Sequence, residues 1–160
     1  MISEKVLVVG LGLIGLITCK LLQANGCYVI ALDIDKERCK KASKMANLVI
    51  NSTDNEFFYD LIQKNTNSKG VDKTIITAKS KDANLMNKLI KSTMKNGTII
   101  MIGDINLTFS RDELYKKEIS FRVSSSYGPG RYDHLYENKN YDYPIEYVRW
   151  TANRNFNSIL

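Results

Sequence analysis

The chain has 160 residues, 44% hydrophobic and 25% charged, with 23 Lys and Arg against 17 Asp and Glu. That length and balance describe one globular domain able to bury a core without disulfides or metal, and they exclude disordered, collagen-like and disulfide-scaffold classes. The net charge of +6 divides as +3 on each half of the chain instead of gathering on one stripe, which argues against a nucleic-acid partner.

The first element, Lys5 to Val9, is short, Val-rich and nearly all apolar, as suits a strand buried on both faces of a parallel sheet. The apolar run continues to Cys19 but holds three glycines and falls short of the roughly 20 residues a membrane helix needs. From Leu13 the apolar positions take helical spacing until Asn25-Gly26. Tyr28 to Asp33 reads as a second strand, Lys36 to Met45 as an amphipathic helix, and Leu48 to Ile50 as a third strand. A helix over 55–64, a fourth strand from Val71 to Ala78 and a helix from Asn84 to Lys95 follow. Thr98 to Ile102 is a fifth strand and Ile119 to Ser124 a sixth, linked by a helix over Arg111 to Lys117. This alternation predicts an α/β fold, a three-layer doubly wound parallel sheet with strand order 3-2-1-4-5-6. We place that domain at residues 1–124. Residues 125–160 hold six of the nine tyrosines, both prolines and the only Trp, and are expected as an extension of the same compact unit, ending in a helix from Glu146 onward.

Three cysteines, Cys19, Cys27 and Cys39, show no C-x-x-C, and the only histidine, His134, lies far away. No metal site is expected; reduced buried thiols in a cytoplasmic protein account for them.

Gly10-Leu11-Gly12-Leu13-Ile14-Gly15 is a G-x-G-x-x-G run that follows a strand, opens a helix, and precedes a second strand ending at Asp33. In that setting it is the fingerprint of a dinucleotide-binding, Rossmann-type turn. Gly10 serves the sharp turn, Gly12 admits a diphosphate, and Gly15 lets helix and strand pack. The N–H groups of Leu13 and Ile14, with the helix dipole behind them, face the phosphates. Asp33 should accept the ribose hydroxyls, which favours NAD over NADP because a carboxylate repels a 2′-phosphate; Lys36 and Arg38 nearby could soften that choice. Ala78, Ile102 and Gly103, at the ends of the fourth and fifth strands, are expected near the nicotinamide half. No catalytic residue is assigned. His134 reads as a surface or packing residue, and Tyr127 and its neighbours as packing or interface.

With these residues in view, the chain resembles the cofactor domain of the zinc-type, medium-chain alcohol dehydrogenase family. The stretch Val29-Ile30-Ala31-Leu32-Asp33-Ile34-Asp35-Lys36-Glu37-Arg38 carries that likeness, which implies that Asp33 and Arg38 both address the adenosine ribose and that Ile34 lies against the adenine. The tail, with Ser126-Tyr127-Gly128-Pro129-Gly130-Arg131-Tyr132-Asp133, Tyr143-Pro144 and Tyr147-Val148-Arg149-Trp150-Thr151, is similar to bacterial bi-domain oxidoreductases. The resemblance implies a parent enzyme acting on a small-molecule alcohol or sugar, with any zinc in a catalytic domain outside this chain. It also implies a homodimer paired through the sixth strand, whose edge carries unpaired backbone groups. The chain is accordingly read as an excised NAD(H)-binding domain, inactive alone. An NAD-sensing regulatory domain without catalysis is the alternative.

Overall fold

The computed structural model describes residues 2–159, apart from the Asn55 side chain. A contact boundary divides them into two compact units, the first ending at Val123 and the second beginning at Ser124. Each unit is described by itself.

The first unit runs β1 (Lys5–Val9), α1 (Leu13–Ala24), β2 (Tyr28–Asp33), α2 (Lys36–Ala42), β3 (Leu48–Asn51), α3 (Asn55–Asn65) and β4 (Val71–Ile76). It continues with β5 (Lys79–Ser80), α4 (Leu85–Ser92), β6 (Thr93–Met101), β7 (Asp104–Ile105), α5 (Arg111–Lys117) and β8 (Ser120–Val123). Six strands form one parallel sheet in the order β3-β2-β1-β4-β6-β8. Counted along the six sheet strands, that is the expected 3-2-1-4-5-6. The order reverses between β1 and β4, so a crevice opens at their carboxyl ends.

Alternation within each strand feeds two cores. Leu7, Val9, Ile30 and Leu32 pack with Phe58 and Ile62 of α3 and Met86, Leu89 and Ile90 of α4. Val6, Val8, Val29 and Ala31 point the other way, onto Leu11, Cys19, Cys39 and Ala42 beside α1 and α2. Burial on both faces is why β1 and β2 read as continuous apolar runs. Lys73, the polar guest of β4, is half-buried and ion-pairs with Glu4.

Several boundaries differ from expectation. The helix expected over Asn84 to Lys95 ends at Ser92, because Thr93 turns extended, with φ −85° and ψ 137°. Its hydroxyl donates to the Leu89 carbonyl and meets the Thr74 hydroxyl at 2.8 Å. Lys117 Nζ then closes the helix end by donating to the carbonyls of Ile90, Lys91 and Thr93. The fourth strand stops at Ile76, and the residues after it form an unanticipated two-strand parallel ribbon, β5 with β7. The second helix ends at Ala42 rather than Met45.

The second unit holds α6 (His134–Lys139), which the sequence reading missed, and α7 (Ala152–Ile159). No helix begins at Glu146: the N–H groups of Tyr147 and Val148 both donate to the Pro144 carbonyl in a turn. Arg154 fastens this segment by donating to the carbonyls of Tyr143 and Val148 and to the Asp142 carboxylate. Among the described residues, no helix is long and apolar enough to cross a membrane.

Candidate functional site

A cleft of about 470 Å³ opens where the sheet order reverses. Gly10 and Gly12 line it from the turn after β1, Asp33, Ile34 and Arg38 from the end of β2 and start of α2, and Thr77 to Ser80 from beyond β4. Its apolar floor is Val9, Leu32, Phe58 and Leu85.

The three motif glycines do different work. Gly10 adopts φ +93°, and a Cβ there would lie 2.6 Å from the Ala78 backbone nitrogen. A Cβ on Gly15 would lie 1.9 Å from the Gly10 carbonyl oxygen, so this glycine lets α1 press onto its own turn. Gly12 is the opposite case. Its φ is −70° and a Cβ would meet nothing within 4 Å, so no neighbour in the chain demands a glycine there. The free space belongs to the cleft. Helices α2, α3, α5 and α6 are closed at their N-termini by the side chains of Asp35, Asp54, Ser110 and Asp133, whereas α1, like α4, has no side-chain cap. The first N–H groups of a helix have no intrahelical acceptor, so those of α1 are available to an anion over Gly12.

Asp33 is buried, and each of its carboxylate oxygens already accepts one backbone N–H: Leu11 at 2.5 Å and Asp35 at 2.9 Å. The carboxylate thus ties the turn after β1 to the turn after β2 while keeping lone pairs for a ligand hydroxyl. Arg38 stands 3.9 Å from Asp33 and 3.8 Å from Asp35, and its side chain is 54% exposed. The backbone N–H of Arg38, with that of Glu37, holds the Asp35 carboxyl below the usual range.

Of the residues singled out from the sequence, Gly10, Gly12, Asp33, Ile34, Arg38 and Ala78 come together on this cleft. Leu13 and Ile14 are exposed on the first turn of α1, and Gly15 is buried behind them. Ile102 and Gly103 lie beyond β6, outside the lining, and Gly103 packs so tightly that a Cβ would meet the Ala78 carbonyl oxygen at 2.1 Å. Ser52, Thr53, Thr77, Lys79, Ser80 and Asp82 also line the cleft and were not anticipated. Their position just past the carboxyl ends of β3 and β4 is the signal that would have found them.

Among the described residues, no three His, Cys, Asp or Glu side chains converge as a metal site. Cys19, Cys27 and Cys39 form no disulfide and are buried in the second core, and burial pushes the Cys19 thiol up to about 11. A thiolate is what zinc binds, and burial of Cys19 and Cys39 opposes it, so these two described side chains are poor zinc ligands.

A doubly wound parallel sheet with a glycine turn at its switch point defines a nucleotide-binding α/β domain. A family model described as zinc-binding dehydrogenase matches residues 14–139, and the chain belongs to that family, as its NAD(P)-binding domain. No curated protein sequence matches the chain. Among solved structures, a zinc-dependent alcohol dehydrogenase 2 from Streptococcus pneumonia superposes with a TM-score of 0.69 at 23% identity, over 78% of this chain and 36% of that one. A mycobacterial protein complexed with NADPH gives 0.68 at 20% identity, over 78% and 39%. An NAD-dependent alcohol dehydrogenase gives 0.67 at 21% identity, over 77% and 36%. These likenesses establish the fold, and the chain spans little more than a third of each structure's length.

Proposed function

We propose that this chain anchors NAD(H) across the cleft and presents its nicotinamide for hydride exchange in a parent oxidoreductase. The substrate would be an alcohol or sugar, oxidised as its carbon-bound hydride passes to NAD⁺ and its hydroxyl proton leaves, with the groups that polarise it outside this chain. The observation that carries this reading is Gly12: an unfilled position at an uncapped helix start, beside a carboxylate held by two backbone N–H groups. Asp33 supports NAD over NADP, since a 2′-phosphate facing a buried carboxylate costs several kcal/mol, and the partly exposed Arg38 offsets only part of it. Calorimetric titration of the full chain with NAD and NADP tests this. Saturable binding of NAD with weaker binding of NADP is expected; absence of NAD binding at millimolar ligand overturns the reading, and equal affinities overturn the preference.

A further inference from the structure

An asparagine followed by glycine readily loses its amide without a catalyst, because glycine has no side chain to hinder its backbone nitrogen from reaching the asparagine side chain. The chain holds two such pairs, Asn25-Gly26 and Asn96-Gly97, and both asparagines are exposed. The fold treats them differently. Asn25 ends α1, where its Nδ2 donates to the Leu21 carbonyl at 2.8 Å and the Gly26 N–H donates to the Gln23 carbonyl at 3.0 Å. The leaving amide and the attacking nitrogen are thus both tied to the helix end. Asn96 lies within β6, where the register with β4 jumps from Val71–Thr93 to Lys73–Thr98, so that Met94 to Gly97 bulge opposite Asp72. It takes the left-handed φ of +60°, and among the described residues its side chain makes no hydrogen bond.

We propose that Asn96 is a site of spontaneous deamidation, with water as the co-reactant. The Gly97 nitrogen gives up its proton and bonds to the Asn96 Cγ, the Cγ–Nδ2 bond breaks, and the amide nitrogen leaves as ammonia with that proton. Water then opens the cyclic imide at either carbonyl, giving aspartate or isoaspartate. Isoaspartate adds a methylene to the backbone beside Gly97, where even a Cβ would meet the Thr93 Cγ2 at 2.6 Å and the Asp72 carbonyl oxygen at 3.0 Å. The new carboxylate also follows directly on Lys95, which already pairs with Glu118 at 3.2 Å. Conversion at Asn96 therefore loosens the fifth strand of the sheet, and the chain loses stability as it ages.

Incubation of the full chain in mildly alkaline buffer, with and without guanidinium, followed by peptide mapping in a mass spectrometer and enzymatic isoaspartate detection, tests this. In the native chain Asn96 is expected to convert about tenfold or more faster than Asn25, since two hydrogen bonds must first break at Asn25, and in guanidinium the two rates converge. Equal native rates, faster loss at Asn25, or a ratio that survives in guanidinium overturns the inference. Retention of both amides in the native chain, with conversion only in guanidinium, also overturns it, because burial of Gly97 then protects the pair. An Asn96→Gln chain, whose longer side chain closes the ring far more slowly, should keep its melting temperature through the same incubation. A melting loss equal to that of the unaltered chain overturns the link from Asn96 to stability.

Discussion

Replacing Gly12 by alanine adds one methyl group where a Cβ meets no heavy atom within 4 Å, on a residue whose φ of −70° suits any amino acid. Removing a glycine from the unfolded chain favours the fold by about 0.4–1 kcal/mol, and the poorer helix cap of alanine opposes it by a similar amount. The net change therefore stays within about 1 kcal/mol, a melting shift of no more than about 2–4 °C for a chain of this size. Binding is where the loss appears. The methyl occupies the space through which backbone approaches the diphosphate, and NAD affinity should fall by at least about tenfold, or about 1.4 kcal/mol. Gly15→Ala is the counterpart. Its Cβ would sit 1.9 Å from the Gly10 carbonyl oxygen, a backbone atom that cannot swing away, so destabilisation of about 3 kcal/mol or more is expected. Thermal melts followed by circular dichroism, with calorimetric titration of NAD, read both variants. A Gly12→Ala protein that binds NAD like the unaltered chain refutes the placement of the diphosphate, and a Gly15→Ala protein with an unchanged melt refutes the packing argument.

Asp33→Asn should cost about 1–3 kcal/mol in urea unfolding, because an amide has one acceptor oxygen for the two N–H groups of Leu11 and Asp35. The same variant should narrow the preference for NAD over NADP; an unaltered ratio would remove Asp33 from cofactor choice. In the second unit, the Tyr143 hydroxyl holds the Asp133 carboxyl below its usual range, and the Tyr132 N–H, with Arg131, does the same for Glu137. Carboxylates lowered in the fold stabilise it above the ordinary range near pH ~4, and that contribution fades as pH falls through their lower folded values. Acid titration of Trp150 fluorescence should show this unit loosening below about pH 4, and Tyr143→Phe should move the transition upward; coincident curves for the two proteins would count against the Tyr143 contact. A second copy pairing along β8 predicts twice the chain mass in light scattering at high protein concentration, and a monomer mass under those conditions removes that dimer.

Strand and helix identities in the first unit were legible because each sheet face has its own core, so apolar runs for strands and helical spacing for α1 and α3 stand apart in the sequence. The end of α4 was not, since Thr93 is drawn out of the helix by a hydroxyl bond to Thr74, 19 residues away, and no local pattern records that partner. The glycine turn and Asp33 announce themselves by spacing and Arg38 through the family resemblance, but Ser52, Thr53, Thr77, Lys79 and Ser80 do neither. Ser52, Thr53 and Thr77 lie just past strand ends and Lys79 and Ser80 form the short β5, and they matter only because strand order brings them to the cleft that Asp33 lines. In the second unit, the Pro144 turn and the triple bonding of Arg154 decide where helix begins, and both are invisible to periodicity.

On the proposed cofactor role, in which the carboxylate that staples the glycine turn also confronts the ribose, changing cofactor preference here is not a one-residue step. Exchanging Asp33 for a small neutral residue to admit a 2′-phosphate strands the Leu11 amide in a dry interior, and the turn that must cradle the diphosphate slackens at the moment it is asked to accept a heavier guest. A successful switch has to install a replacement acceptor for that amide alongside the new cationic partner. Descendants of this chain that moved from one dinucleotide to the other should carry paired changes, one at the end of β2 and one within reach of Leu11.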